Sequence, residues 1–338
     1  MRVGTEVFVD RHCRYTNCFV TSNRKLLGDY TKFDVIAFAG PQTVVLSKAW
    51  LPKRRSPHQK YVFASIESPG YYPVCSNKFD GYFNWTWTYR LDSDARWGYL
   101  IIKDEKGNII GPKKDMHWID KKDMRPVTPE LKKILSGKTK AAAWFVSNCI
   151  TKSKRELIAL ELQRELSSKY HFYIDAYGHC GTLKCSRANE KLCDEKIKKD
   201  YYFYLSFENS FGEDYVTEKL LHAVRYSAIP IVYGGANYSR FLPEGSYLNA
   251  RELGVQKLAK RMIDLIFDFE EYSSYFKWTN HYSYHARAES ADTDDYCGIC
   301  ALLNDEKKLK ETTTYHEFEK WWGLNPERCE EMNRKVRN

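Results

Sequence analysis

The stretch between residues 201 and 233 concentrates side chains that could bind a phosphorylated ligand. Glu218 and Lys219 stand side by side in it, after a polar segment that contains Asn209 and Tyr215. A lysine at the start of a helix, where backbone N–H groups are unpaired, suits a diphosphate, and the neighbouring carboxylate could accept hydrogen bonds from sugar hydroxyls. A solvated ion pair is the usual interpretation of an isolated Glu-Lys, but the polar context favours binding.

The elements around that pair form a predicted strand–loop–helix–strand unit. Tyr202–Phe207 is aromatic and apolar without a breaker, as in a buried strand, and Ile229–Tyr233 is a short β-branched run. Apolar residues recur at helical spacing over Val216–Ser227. Ligands bind such βαβ units in the crevice at the carboxyl ends of the strands, so we expect the polar side chains to meet there.

Two more charged residues follow predicted strands elsewhere in the chain. Glu67 comes directly after the strand Tyr61–Ile66 and before a Pro-Gly turn, where it could face a cleft, although a turn-capping glutamate is the structural alternative. Arg155 lies in the first turn of the predicted helix Thr151–Lys169, which Thr151 or Ser153 could cap. A cation is unfavourable there unless an anion binds nearby, and a solvated arginine is the alternative.

The other periodic segments predict two α/β units, at about 1–138 and 139–270, followed by a tail over 271–338 that packs across both. Residues 103–125 are predicted to be a charged connecting region, residues 178–200 a cysteine-bearing loop, and the tail lacks the periodicity of a sheet. The remaining predicted strands are Phe33–Phe38, Phe83–Tyr89, Ala141–Val146 and Phe172–Ala176, and the remaining predicted helices are Thr43–Leu51, Leu131–Leu135 and Leu253–Phe269, the last opened by Asn249.

The composition favours a globular enzyme that handles sugars. Aromatic residues make up 15% of the 338-residue chain, and their rings serve as flat platforms on sugar-binding surfaces. The formal net charge is +9, but lysine and arginine are spread along the chain without an RNA-binding signature or zinc-finger spacing, which excludes nucleic acid as the expected partner. Attraction of a phosphorylated donor accounts for the charge.

Ten cysteines and two sequons, at Asn84 and Asn237, indicate the secretory route. Disulfides are favoured over zinc, although Cys297 and Cys300 have the spacing of zinc ligands, and spacing leaves the pairing open. The chain contains no apolar run of about 18 residues and no signal peptide. We therefore expect a fragment or an anchorless form of a longer protein.

The long motif resembles the donor-binding motif of the α1,3/4-fucosyltransferases, glycosyltransferase family 10; in this chain it is FYLSFENSFGEDYVTEKLLHAVRYSAIPIVYGG. Three other segments agree with the family: AWFVSNC with Arg155 downstream, the ESP after YVFASI, and GYFNWTWTYRLDSD. The resemblance extends from about residue 7 to the two tryptophans near the carboxyl end, and it is greatest to arthropod members. The family's first core strand should precede Val7, where this sequence is too short for it.

The resemblance implies a GT-B fold, in which two Rossmann-like domains face each other across a cleft. It implies inverting transfer of L-fucose from GDP-β-L-fucose to the 3-hydroxyl of GlcNAc in glycoprotein glycans, with the core GlcNAc of N-glycans as the expected acceptor. A Lewis-type antennal enzyme and an inactive glycan-binding homologue or fragment are the alternatives. Full-length members are type II membrane proteins of the Golgi, so the expected location is the Golgi lumen.

The resemblance also assigns roles to individual residues. Glu67 matches the family's general base, and Tyr89 matches a tyrosine on the acceptor side. For the donor, Arg155 and Lys219 match the diphosphate-binding pair, and Glu218 matches the carboxylate that binds the ribose. Asn209 and Tyr215 match residues near the phosphates and fucose, and Tyr177 matches a residue of the guanine pocket. The family does not depend on a metal-binding D-x-D, so Asp92 and Asp94 are interpreted as structural; no cofactor is required, and manganese stimulates some members. In relatives, cysteines like Cys13 and Cys18 pair with ones like Cys297 and Cys300.

Overall fold

The structure is a computed structural model that describes residues 3–45, 51–75, 77–185 and 190–323. It divides into two compact units at the Tyr99–Leu100 and Ala286–Arg287 boundaries. The first unit combines the segments before Leu100 and after Ala286, and the second unit is Leu100–Ala286. No helix within the described ranges has the length and apolar character that a membrane crossing requires.

The first unit is built on a parallel sheet with the strand order β1-β2-β3-β4. Every residue of β2 is buried, and so is every residue of β3; both strands were predicted, at Tyr61–Ile66 and Phe83–Tyr89. Before the sheet comes a short helix at Val7, and a second helix follows β1. These elements are α1 (Glu6–Asp10), β1 (Val35–Ala39), α2 (Gly40–Val45), β2 (Lys60–Ser65), β3 (Trp85–Thr88) and β4 (Ala95–Arg96). The predicted helix Thr43–Leu51 extends into residues 46–50, which lie outside the described residues.

The second unit is built on a five-stranded parallel sheet with the order β11-β10-β9-β7-β8. Helices connect its strands, and a core of large apolar side chains fills the space between helices and sheet. The elements in chain order are β5 (Leu100–Asp104), β6 (Ile109–Gly111), α3 (Pro129–Ser136), β7 (Lys140–Phe145), α4 (Arg155–Tyr170), β8 (Ile174–Tyr177), α5 (Glu190–Asp200), β9 (Tyr201–Phe207), α6 (Lys219–Arg225), β10 (Ile229–Tyr233), β11 (Leu248–Asn249), α7 (Ala250–Phe267), α8 (Phe269–Ser274) and β12 (Tyr282–Ala286).

A separate antiparallel sheet, in the order β12-β5-β6, corrects two predictions. The region predicted to be a simple connection contains β6 and part of β5, and the tail predicted to lack a strand contains β12. β5 pairs with β12 in a register that sets Ile102 opposite Tyr284. This pairing joins residues 100–138 and 271–286 to the second unit, which differs from the predicted division at 138/139 and 270/271.

The end of the described chain returns to the first unit as α9 (Asp295–Leu303), α10 (Glu306–Lys310) and α11 (Phe318–Trp322). Two disulfides, Cys13–Cys297 and Cys18–Cys300, hold α9 against the segment after α1. Two more, Cys149–Cys180 and Cys185–Cys193, lie in the second unit. The preference for disulfides over zinc at Cys297 and Cys300 is therefore confirmed.

Three helices differ from their predicted form. The loop predicted over 178–200 contains α5, whose alternation of lysine with few apolar residues gave only a weak helical signal. Helix α6 begins at Lys219 rather than Val216, and Glu218 occupies its N-cap position. Helix α7 is opened by Asn249 as predicted, since the Asn249 side chain accepts a hydrogen bond from the Arg251 N–H. It begins at Ala250 rather than Leu253, and Gly254 interrupts its helical geometry with a φ of 70°.

Candidate functional site

The candidate site lies at the carboxyl ends of β7 and β9. β7 pairs with β8 on one side and β9 on the other, so the chain leaves β7 in one direction and returns across it to continue the sheet in the other. Such a switch point leaves a crevice between the loops that follow the two strands, and open α/β sheets bind ligands there. The loop after β7 leads to Arg155, and the loop after β9 leads to Lys219.

The start of α4 is tied to the end of β9 through polar contacts. Arg155 is 3% exposed, and its Nη1 donates a hydrogen bond of 2.6 Å to the carbonyl oxygen of Phe207. The Ser153 N–H donates to the Asn209 carbonyl at 3.1 Å, and the Ser153 hydroxyl donates to the Glu208 carbonyl at 2.7 Å. These bonds fix the position of the Arg155 guanidinium relative to the end of β9.

The predicted capping of α4 by Ser153 or Thr151 is wrong. The N-cap residue is Lys154, in a left-handed conformation, and it makes no side-chain capping bond. The Ser153 hydroxyl is engaged with β9 instead, and the Thr151 hydroxyl donates to the Glu156 carboxylate at 2.8 Å. Arg155 therefore lies at the first position of α4, closer to the helix end than the predicted helix placed it.

Lys219 is the centre of the polar cluster at the start of α6. Its Nζ donates to the Thr217 hydroxyl at 2.7 Å and to Glu218 Oε1 at 3.1 Å, and it lies 3.5 Å from Glu208 Oε2. The side chain of Lys219 is 17% exposed, that of Glu218 is 55% exposed, and that of Glu208 is 1% exposed. The structure thus places one cation between a buried carboxylate and an exposed one.

The three charges influence one another's protonation. Burial raises the pKa of Glu208, and the Lys219 ammonium acts in the opposite direction. Burial alone would lower the pKa of Lys219, but the charges of Glu208 and then Glu218 outweigh it and raise that pKa. Burial also opposes ionisation of Glu218, yet the Lys219 charge holds the pKa of Glu218 below its ordinary value. Lys219 is accordingly a cation at neutral pH, as phosphate binding requires.

Asn209 and Tyr215 meet in the loop between β9 and α6. The Tyr215 hydroxyl donates to Asn209 Oδ1 at 3.3 Å, and the Tyr215 ring is 1% exposed. The loop is also fixed by Arg240, whose Nη1 donates to the buried Asp214 at 2.7 Å. Five of the predicted donor-site residues, namely Arg155, Asn209, Tyr215, Glu218 and Lys219, are therefore brought to one edge of the sheet.

Tyr177, predicted for a guanine pocket, lies at the same carboxyl edge of the sheet, opposite Phe145 at the end of β7. It ends β8, and its side chain is 7% exposed. Its hydroxyl forms a 2.6 Å hydrogen bond with the hydroxyl of Tyr201 at the start of β9, and Tyr201 donates in turn to Asp175. The Tyr177 hydroxyl is thus engaged with Tyr201, and its contact with a guanine base stays a prediction.

Glu67 and Tyr89 lie beyond neighbouring strands of the first unit. Ser65, the last residue of β2, pairs with Thr88, the last residue of β3. Glu67 follows two residues later and Tyr89 one residue later, so both leave the same edge of the sheet. The turn at Glu67 is fixed locally, since the Ser65 hydroxyl donates to the Glu67 carbonyl at 2.8 Å.

Asp92 and Asp94 are engaged with side chains of their own unit. Arg90 forms two hydrogen bonds of 2.9 Å with the Asp92 carboxylate, and Asp94 Oδ2 accepts from the Thr86 N–H and the Tyr315 hydroxyl, each at 2.9 Å. Within the described ranges, three potential metal ligands converge only at Cys13, Asp294 and Cys297. Two of those three are the sulfur atoms of one disulfide, which makes them unsuitable as ligands.

The two sequons differ in accessibility. The Asn84 amide oxygen accepts from the Tyr61 N–H at 3.0 Å and its nitrogen donates to the Thr313 carbonyl at 3.2 Å, an arrangement that disfavours glycan attachment to the folded chain. Asn237 is exposed, and its amide oxygen accepts from the Ser239 hydroxyl at 2.7 Å. Modification of Asn237 stays a prediction.

Comparison with known proteins identifies the family of this chain. The profile described as glycosyltransferase family 10 (fucosyltransferase) C-term matches residues 135–321, more than half of the chain, and the one described as fucosyltransferase, N-terminal matches residues 2–100. The chain belongs to glycosyltransferase family 10. As a member of this family it is a glycosyltransferase, and the α/β architecture of two parallel-sheet units expected for the family is confirmed.

Several curated relatives of this family 10 member are similar over most of its length. An alpha-(1,3)-fucosyltransferase C of Drosophila melanogaster is 39% identical over 92% of the chain, which spans 70% of that relative. A glycoprotein 3-alpha-L-fucosyltransferase A of the same organism is 32% identical over 95% of the chain, which spans 58% of that relative. A human 4-galactosyl-N-acetylglucosaminide 3-alpha-L-fucosyltransferase is 32% identical over 87% of the chain and 73% of its own length.

A crystal structure of an alpha1,3-fucosyltransferase with GDP-fucose is similar to the family 10 chain at a TM-score of 0.45 and 18% identity, covering 78% of this chain and 82% of that one. The residues that the sequence did not assign to the site are Glu208 and Thr217, which surround Lys219. Glu208 and Asn209 directly follow the last residue of β9, so the position of Glu208 at the carboxyl end of that strand was the available signal.

Proposed function

We propose that this glycosyltransferase transfers L-fucose, with inversion, from GDP-β-L-fucose to the 3-hydroxyl of GlcNAc in glycoprotein glycans. The observation that carries the proposal is the convergence of Lys219 and Arg155 at the switch point between β7 and β9. Two cations at the carboxyl edge of a parallel sheet, beside the start of a helix, suit a nucleoside diphosphate. The names of the fucosyltransferase relatives support fucose as the transferred sugar.

In the proposed reaction, Glu67 accepts the proton of the acceptor 3-hydroxyl while the acceptor oxygen attacks carbon 1 of fucose. The bond between that carbon and the β-phosphate oxygen breaks, and GDP leaves with the bonding electron pair. General-base catalysis of this kind contributes on the order of 10²–10⁴-fold. Lys219 and Arg155 stabilise the charge that develops on the leaving diphosphate, and Glu218 accepts hydrogen bonds from the ribose.

The proposed acceptor is the core GlcNAc of N-glycans. The relative named as a glycoprotein 3-alpha-L-fucosyltransferase supports a glycoprotein acceptor, whereas the human relative is named for 4-galactosyl-N-acetylglucosaminide, an antennal structure. We propose the Golgi lumen as the location, and the disulfides at Cys13–Cys297 and Cys18–Cys300 support an oxidising compartment.

The test is a transfer assay with the purified chain and radiolabelled GDP-fucose on three acceptors of matched peptide sequence. One carries an N-glycan with an unsubstituted core GlcNAc, one carries galactosylated antennae on a core already fucosylated, and one carries no glycan. We expect incorporation on the first acceptor, at the 3-position by linkage analysis. Transfer confined to the second would assign the antennal activity instead, and binding of glycans without turnover of GDP-fucose would contradict the enzymatic proposal.

A further inference from the structure

Glu208 holds a charged group in the interior of the second unit. Its side chain is 1% exposed, and its backbone is fixed on both sides, because its N–H donates to the Tyr233 carbonyl at 2.9 Å and its carbonyl accepts from the Ser153 hydroxyl. Burial of a carboxylate costs several kcal/mol of free energy unless hydrogen bonds and a counter-charge compensate it. The hydrogen-bond and charge partners of the Glu208 side chain therefore indicate its role.

All of these side-chain partners lie at the start of α6. Glu208 Oε1 accepts from the Thr217 N–H at 2.8 Å and from the Thr217 hydroxyl at 3.0 Å, and Oε2 lies 2.9 Å from the same hydroxyl. Lys219 Nζ donates to that hydroxyl oxygen at 2.7 Å. The Thr217 hydroxyl thus accepts a hydrogen bond from the Lys219 ammonium and donates one to the Glu208 carboxylate. It therefore links Lys219 to Glu208.

This linkage determines which N–H groups of Lys219 remain available. Nζ donates to Thr217 and to Glu218 and lies 3.5 Å from Glu208 Oε2, and the ammonium makes no further hydrogen bond within the part of the chain that the structure describes. We propose that Glu208, acting through Thr217, is a positioning residue that keeps Lys219 charged and oriented so that an N–H is presented to the diphosphate of the donor. This inference rests on the proposed function, since it assigns Lys219 to the diphosphate.

A second buried lysine of the same unit, which has no carboxylate of the described residues bonded to its ammonium, shows how burial changes the pKa of such a lysine. Lys138 is 2% exposed, and its Nζ donates to the carbonyls of Ile197 and Tyr201 at 3.2 and 2.7 Å. Burial lowers the pKa of Lys138 to about 7, against an opposing contribution from the charge of Asp200. The pKa of Lys219 is instead raised, because two carboxylates face it. Of those two, Glu208 is the one shielded from solvent.

The other charged and titratable groups around this pair come from α4, β9, α6 and the segment after β10. Arg155 of α4 acts on Lys219, and its charge opposes a second cation there. Tyr204 of β9 and His222 of α6 interact electrostatically with Glu218, and Tyr238, after β10, interacts with Glu208. Since Arg155 repels Lys219 and Glu218 is exposed, removal of the Glu208 charge is expected to make Lys219 resemble Lys138.

The experiment measures the Kd of GDP by calorimetry from pH 6.5 to 9 for the unaltered chain, Glu208→Gln and the control Glu213→Gln. Glu213 is an exposed carboxylate of the same loop that pairs with Arg240. We expect the ratio of the Kd of Glu208→Gln to that of the unaltered chain to stay within about threefold at pH 6.5 and to reach about tenfold at pH 9, because a lowered Lys219 pKa removes the cation as pH rises. Because GDP titrates equally in both measurements, its own protonation does not affect the ratio of the two Kd values.

Conservative variants separate this role from a merely structural one. Glu208→Asp retains the charge and should restore a flat ratio, and Thr217→Ser, which keeps the hydroxyl, should bind GDP more tightly than Thr217→Val. If Glu208→Gln fails to fold, as judged by its thermal unfolding, the Thr217 pair tests the same linkage. Equal affinities for Thr217→Ser and Thr217→Val, or parallel pH profiles for Glu208→Gln and the unaltered chain, would overturn the inference alone. Absence of GDP binding by the unaltered chain would contradict the proposed function and this inference together.

Discussion

The two units both place polar side chains beyond the carboxyl ends of parallel strands, but they surround those side chains differently. In the second unit, Lys219 is held by the hydroxyl of Thr217 and two carboxylates. In the first unit, the surroundings of Glu67 are fixed by aromatic residues that bond to the backbone: the Tyr99 hydroxyl donates to the Ile66 carbonyl at 3.0 Å, and Trp322 Nε1 donates to the Tyr72 carbonyl at 2.7 Å.

Under the proposed function, this difference corresponds to two tasks. A cluster of opposite charges around a lysine can bind an anion without moving, because its donors are oriented in advance. Under the proposed function, the aromatic residues near Glu67 offer apolar faces that suit a sugar ring, and Glu67 is the one carboxylate assigned to the chemistry. We therefore expect changes in the second unit to alter donor affinity and changes in the first unit to alter turnover or acceptor affinity.

The largest expected effect is that of Glu67→Gln. The substitution keeps the size of the side chain and removes its ability to accept a proton, so kcat should fall by about 10²–10⁴-fold, as for the loss of a general base. The Kd of GDP should remain unchanged, because the donor is assigned to the second unit. Transfer assays and calorimetry on the same preparation measure both quantities, and normal transfer by Glu67→Gln would refute its role as the base.

Lys219→Ala should reverse that pattern. A hydrogen bond between charged groups contributes about 1.5–3 kcal/mol, so the Kd of GDP should rise roughly 10- to 100-fold. Lys257→Ala, which removes an exposed lysine from α7 in the same unit, is the matched control and should bind GDP as the unaltered chain does. If both variants bind GDP with unchanged affinity, Lys219 does not bind the donor, and the assignment of donor binding to the second unit is contradicted.

The central elements of both sheets could be predicted because their signals are local. Tyr61–Ile66 and Ile229–Tyr233 are uninterrupted apolar runs, and each coincides with a strand to within one residue. The antiparallel sheet escaped prediction because β5 ends at Asp104, β12 begins only at Tyr282, far along the chain, and each strand is short. Alternation of Tyr282 and Tyr284 was the only local sign of β12, and five residues are too few to decide between strand and irregular chain.

The site residues that belong to a sequence motif could be predicted, whereas the contacts that depend on the conformation of a loop could not. Lys219 and Arg155 stood out as charges at helix starts, and the structure brings both to one edge of the sheet. Glu208 and Thr217 are nine positions apart in the sequence, at the two ends of a loop. The hydrophobic pattern of a sequence does not predict the conformation of such a loop, so this hydrogen bond could not be predicted. The Tyr177 hydroxyl likewise depends on Tyr201, a contact between strands that sequence spacing does not reveal.

A disulfide next to the donor site offers a smaller perturbation of the second unit. Cys149–Cys180 joins the loop after β7 to the segment after β8, and Asn148, beside Cys149, accepts a hydrogen bond from Arg155 at 3.4 Å. Replacing both cysteines by serine should raise the Kd of GDP by about threefold to tenfold, because the loop that holds Arg155 gains freedom. The chain-entropy relation also gives a loss of about 3.7 kcal/mol in the free energy of unfolding for a 31-residue loop.

The control is the double serine variant of Cys185–Cys193, whose 8-residue loop gives a loss of about 2.5 kcal/mol. Denaturant unfolding and GDP calorimetry on both variants distinguish general destabilisation from a local effect on the site. A fall in GDP affinity that is equal in the two variants would show that Cys149–Cys180 has no special connection to Arg155.

The smallest expected effect is in the first unit, at Tyr89. Its ring is 2% exposed and lies 6.0 Å from that of Trp322, so phenylalanine fits the same space and only the hydroxyl is lost. The Tyr89 hydroxyl is itself buried, so its loss acts on the acceptor through neighbouring side chains. One neutral hydrogen bond contributes about 1 kcal/mol, which predicts an increase of at most about fivefold in the acceptor KM of Tyr89→Phe and an unchanged Kd for GDP. Tyr82→Phe, in the segment before β3, is the matched control and should leave both constants unchanged. An increase in the Kd of GDP without a change in the acceptor KM would assign Tyr89 to the donor and contradict the division of tasks between the two units.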